Sequence, residues 1–136
     1  MALSKVWVFV ETDEDGNLIP LSKELLTKAR DLADTVEAFY AGDGATVAEA
    51  VGAYGATAVN ATGDLGDKLG GAPAGAALAA ASADVAAIIG GTTYDARDAF
   101  AVASVKTGKP VISNCTSLEV DGDALVTEVP VFGAPP

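Results

Sequence analysis

The run Lys5–Glu11, KVWVFVE, is apolar almost without a break. A strand with one wet face alternates apolar and polar residues, whereas a strand apolar on both faces must be covered on both. This run therefore demands a sheet sandwiched between helices, and the rest of the sequence supplies the pieces. Leu21–Ala33 places Leu21, Leu25, Leu26, Ala29, Leu32 and Ala33 at helical spacing, with Lys23, Glu24, Lys28, Arg30 and Asp31 on a solvated face. The Ser22 hydroxyl is positioned to cap the start of that helix. Thr35–Ala41 reads as a second strand. Gly42-Asp43-Gly44 reads as a turn, and Ala45–Tyr54 as a helix closed by Gly55, a residue that tolerates positive φ.

The alternation continues. Ala56–Ala61 is a weaker third strand, Thr62–Gly71 a connection and Ala72–Ala83 an alanine-rich helix. Asp84–Gly91 is a buried fourth strand, Ala96–Thr107 a helix stopped by Gly108, and Pro110–Asn114 a fifth strand. In SLEVDGDALVTEVPVF, Asp121-Gly122 separates two β-type runs, which signals a hairpin. Pro130 restricts the last run to an edge or exit strand. The expectation is an α/β fold, a three-layer, open, mostly parallel sheet, doubly wound, with a C-terminal β-hairpin. Trp7, Phe9, Phe39 and Tyr40 are assigned to its core. Residues 1–133 read as one domain, and 134–136 as a tail or linker stub.

Charge and missing residue types narrow the chemistry. Eight Lys and Arg against 19 Asp and Glu give a net charge of −11. Such a chain is a poor ligand for nucleic acid or for an anionic membrane surface, both of which need clustered cations. The balance fits either solubility or a basic protein partner. No apolar run approaches the ~20 residues that span a bilayer, and the N-terminus lacks a signal-peptide layout. There is no histidine, which removes Ser-His-Asp triads, Cys-His pairs and His-ligated metals. The single cysteine, Cys115, forms no internal disulfide, points to a reducing cytoplasm, and reads as an inert core thiol without a flanking base.

Two loops carry ligand-binding patterns. Asp13, Asp15, Asn17 and Glu24 sit at calcium-loop positions, but the required Gly is Leu18 and Pro20 stiffens the middle, which favours a surface turn. Gly90-Gly91-Thr92-Thr93 follows a central strand and precedes a helix, where parallel sheets bind ligands. With Arg97 it forms a candidate anion or interface loop, although Asp95 and Asp98 bring negative charge to the same place. After the first strand, where a dinucleotide fingerprint belongs, stand Glu11-Thr12-Asp13-Glu14, which repel a pyrophosphate. No catalytic residue is singled out, and no metal site.

In order along the chain, Glu11, the loop Asp15-Gly16-Asn17-Leu18-Ile19-Pro20, Ser22, Tyr40-Ala41-Gly42 and Tyr54-Gly55-Ala56 lead to Asp84–Thr93. Arg97-Asp98, Pro110-Val111-Ile112-Ser113 and Pro130-Val131-Phe132-Gly133 follow. The series resembles the N-terminal domain of the electron transfer flavoprotein alpha subunit. The resemblance implies a Rossmann-like fold of the adenine nucleotide alpha-hydrolase type and a heterodimer with a beta subunit. It implies FAD in the full-length assembly, held mostly by a C-terminal domain outside this sequence, with none on this chain alone. AMP would belong to the beta subunit, and electrons would arrive from dehydrogenases. The domain would be a scaffold in an electron carrier, not an enzyme with its own active site. Ala96, Val102, Asn114 and the Glu128–Val129 pair depart from the family's Gly, Arg, Asp and basic residue. The alternative is a stand-alone nucleotide-binding module of the universal-stress-protein type, whose usual glycine-and-serine phosphate loop is not present here. A hydrolase is disfavoured because no nucleophile has a recognisable base.

Overall fold

The computed structural model describes residues 2–81 and 84–129. Four parallel strands form the sheet: β1 (Leu3–Val10), β2 (Ala33–Tyr40), β3 (Val59–Ala61) and β4 (Ala87–Ile89), in the order β3-β2-β1-β4. The register places Trp7 beside Glu37 and Phe9 beside Phe39 on one side of β1. On its other side Trp7 lies beside Ile88. Helix α1 (Pro20–Leu32) joins β1 to β2, α2 (Ala48–Ala53) joins β2 to β3, and α3 (Gly71–Ala81) joins β3 to β4. Helix α4 (Tyr94–Thr107) follows β4, and β5 (Ser117–Asp121) and β6 (Ala124–Glu128) make an antiparallel hairpin.

The continuous apolar run in β1 has the predicted consequence. Side chains alternate across a strand, so Val6, Val8 and Val10 enter one core with Leu26 and Ala29 of α1 and Val51 of α2. Trp7 and Phe9 enter a second core with Phe39, Ala74 and Leu78 of α3, and Ala96 and Ala99 of α4. Trp7 and Phe39 stack at 5.8 Å between ring centroids, Phe9 and Phe39 at 6.0 Å, and Phe100 meets Phe9 edge-on. Tyr40 is half-buried and packs at the edge of the first core. Over this core α3 and α4 approach each other closely. A Cβ on Gly75 would lie 2.5 Å from the Ala99 carbonyl oxygen, and one on Gly71 would lie 2.5 Å from Asp98 Cβ.

Several expectations need correction. Among the described residues Pro110–Asn114 pairs with no strand, and Val111 and Ile112 are 47% and 57% exposed. β propensity acts only where a neighbour supplies hydrogen bonds and a covered face. The chain instead turns at Asn114, with φ +55°, into the hairpin, whose Leu118, Val120 and Leu125 pack against the first core. Among the described residues the sheet thus has four strands, not five. Pro20 sits at the first helical position, which suits its fixed φ, and moves the cap of α1 to Ile19. Ser22 therefore lies inside the first turn, buried, and does not cap the helix. Its Oγ accepts the Glu11 N–H at 2.9 Å. The second helical segment is a 3-10 turn, Gly44–Thr46, followed by the short α2. Gly55 ends α2 as expected, with φ +97° and the paired bonds from its own N–H to Gly52 and from Ala56 N–H to Val51. Cys115 is half-buried between α4 and β5 and belongs to neither core. The last two positions of the alanine-rich helix, the Pro130 exit strand, Pro130-Val131-Phe132-Gly133 and the 134–136 tail lie outside the described residues.

Candidate functional site

The strand order reverses between β1 and β4. The first crossovers step from β1 outward to β3, and α3 then carries the chain back past β1. Ligands of open parallel sheets lie outside the carboxyl ends of the strands at such a reversal. Here that position is bridged by the protein itself. Glu11, immediately after β1, receives the Thr93 hydroxyl at 2.8 and 2.9 Å on its two carboxylate oxygens. Thr93 is also the cap of α4, its Oγ1 accepting the Ala96 N–H at 3.2 Å. A carboxylate therefore already faces the positive end of the α4 dipole. Burial pushes the Glu11 carboxyl above its ordinary range. The Thr93 hydrogen bond pulls it partly back, and the charge of Asp95 pushes it up again.

The two glycines before Thr93 are explained by packing. A Cβ on Gly90 would lie 2.7 Å from Phe100 Cζ, and one on Gly91 would collide with the Leu21 side chain. Thr92 and Arg97 are exposed. Arg97 does not line the neighbouring cleft, nor do Gly90, Gly91, Thr92 or Thr93. The predicted loop is thus a compact strand-to-helix connection in which, among the described residues, only the Thr93 side chain makes a directed polar contact to another element.

Beside this bridge, over the ends of β1 and β2, lies a cleft of about 260 Å³. Its walls include Glu11, Thr12, Tyr40, Gly42, Asp95 and the loop Asp64-Leu65-Gly66, and among the described residues Lys68 is its one cation. Tyr40 and Thr12 share a hydroxyl–hydroxyl hydrogen bond of 2.9 Å. Gly42 N–H donates to Thr62 Oγ1 at 3.0 Å, anchoring the 62–70 loop beside the strand ends. Asp64 accepts the Gly66 N–H at 2.8 Å, folding the loop tip on itself. Among the described residues, three carboxylates against one ammonium do not fit the phosphates of FAD or AMP, which need N–H and cationic donors. Sequence reasoning read Thr62–Gly71 only as a connection. Its glycines, with Asp64 and Lys68 between them, were the available signal that it borders a site.

The acidic loop after β1 is a turn. Asp13 Oδ1 accepts the N–H groups of Asp15 and Asn17, both at 2.9 Å, which gives that carboxylate local work. Among the described residues no group of His, Cys, Asp and Glu has the arrangement of a metal site. No helix among them is long and apolar enough to cross a membrane.

Residues 6–134 match the family of the electron transfer flavoprotein domain. The chain belongs to that family. No curated protein matches the sequence. The family match spans nearly all of the chain and so takes in the four-stranded sheet and the acidic cleft. Members of this family are associated with flavin and with electron transfer, and they work with partner proteins.

Proposed function

We propose that this domain is the N-terminal part of an electron transfer flavoprotein alpha subunit. In this reading it serves as a docking scaffold in a heterodimer with a beta subunit. FAD in the complete assembly takes electrons from dehydrogenases, and the surrounding protein orients it and tunes its electronics. This chain contributes surface and rigidity to that assembly, works in the reducing cytoplasm, and carries no active site of its own. The observation that carries the reading is the Glu11–Thr93 bridge at the strand reversal. It sets a carboxylate at the helix start where a nucleotide phosphate would otherwise gain from the dipole. The acidic cleft beside it supports the same conclusion, and AMP is accordingly assigned to the beta subunit. The Gly90–Thr93 loop with Arg97 then serves as connection and interface, not as a phosphate cradle.

The test is co-expression with a beta subunit, followed by size-exclusion chromatography and thermal-shift titration of the isolated chain with AMP, ATP and FAD. A one-to-one complex is expected, with no nucleotide raising the melting temperature of the isolated chain. Stabilisation by AMP or ATP without a partner would overturn the proposal in favour of a nucleotide-binding module.

A further inference from the structure

Aspartate followed by glycine is a chemically fragile pair, because no Cβ shields the glycine nitrogen from the preceding carboxyl. The chain has such pairs at Asp15-Gly16, Asp43-Gly44 and Asp121-Gly122. The fold engages the first two. Gly16 N–H donates to the Asp13 carbonyl at 3.1 Å, inside the turn that Asp13 Oδ1 closes on Asp15 and Asn17. Asp43 Oδ1 accepts the Ala45 N–H at 3.0 Å, which caps the 3-10 turn and holds that carboxylate in place. Gly44 is also packed, since an added Cβ would lie 3.2 Å from Ala61 Cβ.

The third pair is free of such contacts. β5 ends at Asp121 and β6 begins at Ala124, so Gly122-Asp123 is a two-residue loop, with Gly122 at φ +65°. Asp121, Gly122 and Asp123 are exposed, and a Cβ on Gly122 would meet nothing within 4 Å. Among the described residues no side-chain hydrogen bond holds the Asp121 carboxylate, and no turn hydrogen bond holds the Gly122 N–H. A two-stranded hairpin is marginal by itself, and its exposed loop end opens at little cost.

We infer that Asp121-Gly122 is a site of spontaneous backbone modification, at which the fold directs aspartate-to-isoaspartate isomerisation. The Gly122 nitrogen attacks Asp121 Cγ. The N–Cγ bond forms, the Cγ–OH bond of the protonated carboxyl breaks, and the hydroxyl leaves with the amide proton as water. Water then opens the cyclic imide. Hydrolysis at Cγ restores aspartate, whereas hydrolysis at the main-chain carbonyl leaves the chain running through Cβ and Cγ, with a free α-carboxylate. Only water enters, and the product is an isomer of the starting chain. The detour through Cβ adds a methylene to a turn whose length sets the β5–β6 register. It thereby loosens Leu118, Val120 and Leu125 from the first core.

The test is incubation of the folded chain in warm, mildly acidic buffer, beside a sample unfolded in urea. Isoaspartate is then located by peptide mapping and quantified by methyl transfer from S-adenosylmethionine with an isoaspartate methyltransferase. In the folded chain the peptide holding Asp121 should carry most of the isoaspartate. In urea, where the contacts of Asp13 and Asp43 are gone, all three pairs should react to similar extents. Asp121→Glu, whose longer side chain closes the ring poorly, should remove most methyl acceptance from the folded chain while the other two pairs stay reactive in urea. Equal isoaspartate at the three pairs of the folded chain, or an excess at Asp15 or Asp43, would overturn the inference. Isoaspartate forming at Asp121 only in urea would overturn it as well.

Discussion

Two glycine-to-alanine changes in helices should move stability in opposite directions. In an exposed helix interior, replacing Gly by Ala gains about 1 kcal/mol, because Gly loses more backbone entropy on folding. Gly52 in α2 has nothing within 4 Å of an added Cβ, so Gly52→Ala should realise most of that gain. Gly75 in α3 has the Ala99 carbonyl oxygen at 2.5 Å and Val102 Cβ at 2.6 Å from the same added atom. Neither neighbour can rotate away, since one is backbone and the other is bonded to it. Relief requires α3 and α4 to separate by most of an ångström, at the upper end of the ~1–3 kcal/mol cost of overpacking. After the propensity gain, Gly75→Ala should lose about 2 kcal/mol, which lowers the melting temperature by roughly 8 °C for a domain of this size. The assay is urea unfolding followed by the fluorescence of Trp7, the single tryptophan, which is 3% exposed. Equal stability of Gly75→Ala and the parent, or movement of both variants in one direction, would refute the close helix contact.

Three further changes probe the polar contacts. Glu11 has a raised pKa in the folded state, so folding binds its proton and its contribution to stability falls as pH rises from the unfolded to the folded value. Glu11→Gln should therefore gain on the parent as pH increases from 4 to about 7, read from urea midpoints across that range. Burial alone would raise the pKa of Glu37, but hydrogen bonds from Asn60 and Trp7 and the charge of Lys5 outweigh it and hold the carboxyl low. Its stabilisation is present above the unfolded pKa and lost as pH falls through the folded one. Glu37→Gln should consequently destabilise at pH near 7 more than in acid, with a shift in Trp7 emission reporting the altered Nε1–H partner. Ser22→Ala should cost about 1 kcal/mol, because it leaves the half-buried Glu11 N–H without its acceptor, measurable by the same unfolding assay.

What the sequence disclosed was mostly local or periodic. KVWVFVE dictated a sheet covered on both faces, the 3.6-residue spacing of Leu26 and Ala29 gave α1, Gly55 and Gly108 marked helix ends, and Asp121-Gly122 marked the hairpin. What it concealed depended on distant partners. Glu11 and Thr93 are 82 residues apart and meet only because the strand order reverses. Pro110–Asn114 has the composition of a strand but, among the described residues, no neighbour to complete it. Ser22 looked like a cap until Pro20 moved the helix start and turned the hydroxyl toward β1. The cleft was equally hidden, since Tyr40 comes from the end of β2, Asp64 from the loop before α3 and Asp95 from the first turn of α4. The glycine pair at 90–91 suggested an anion loop, whereas Phe100 and Leu21 account for both residues by close packing.

The central claim is that this domain supports a flavin assembly without itself holding a nucleotide. Equilibrium dialysis of the isolated chain against FAD, followed by its visible spectrum, addresses that claim directly. The account predicts a colourless protein retaining no flavin; one equivalent of FAD carried through dialysis would contradict it.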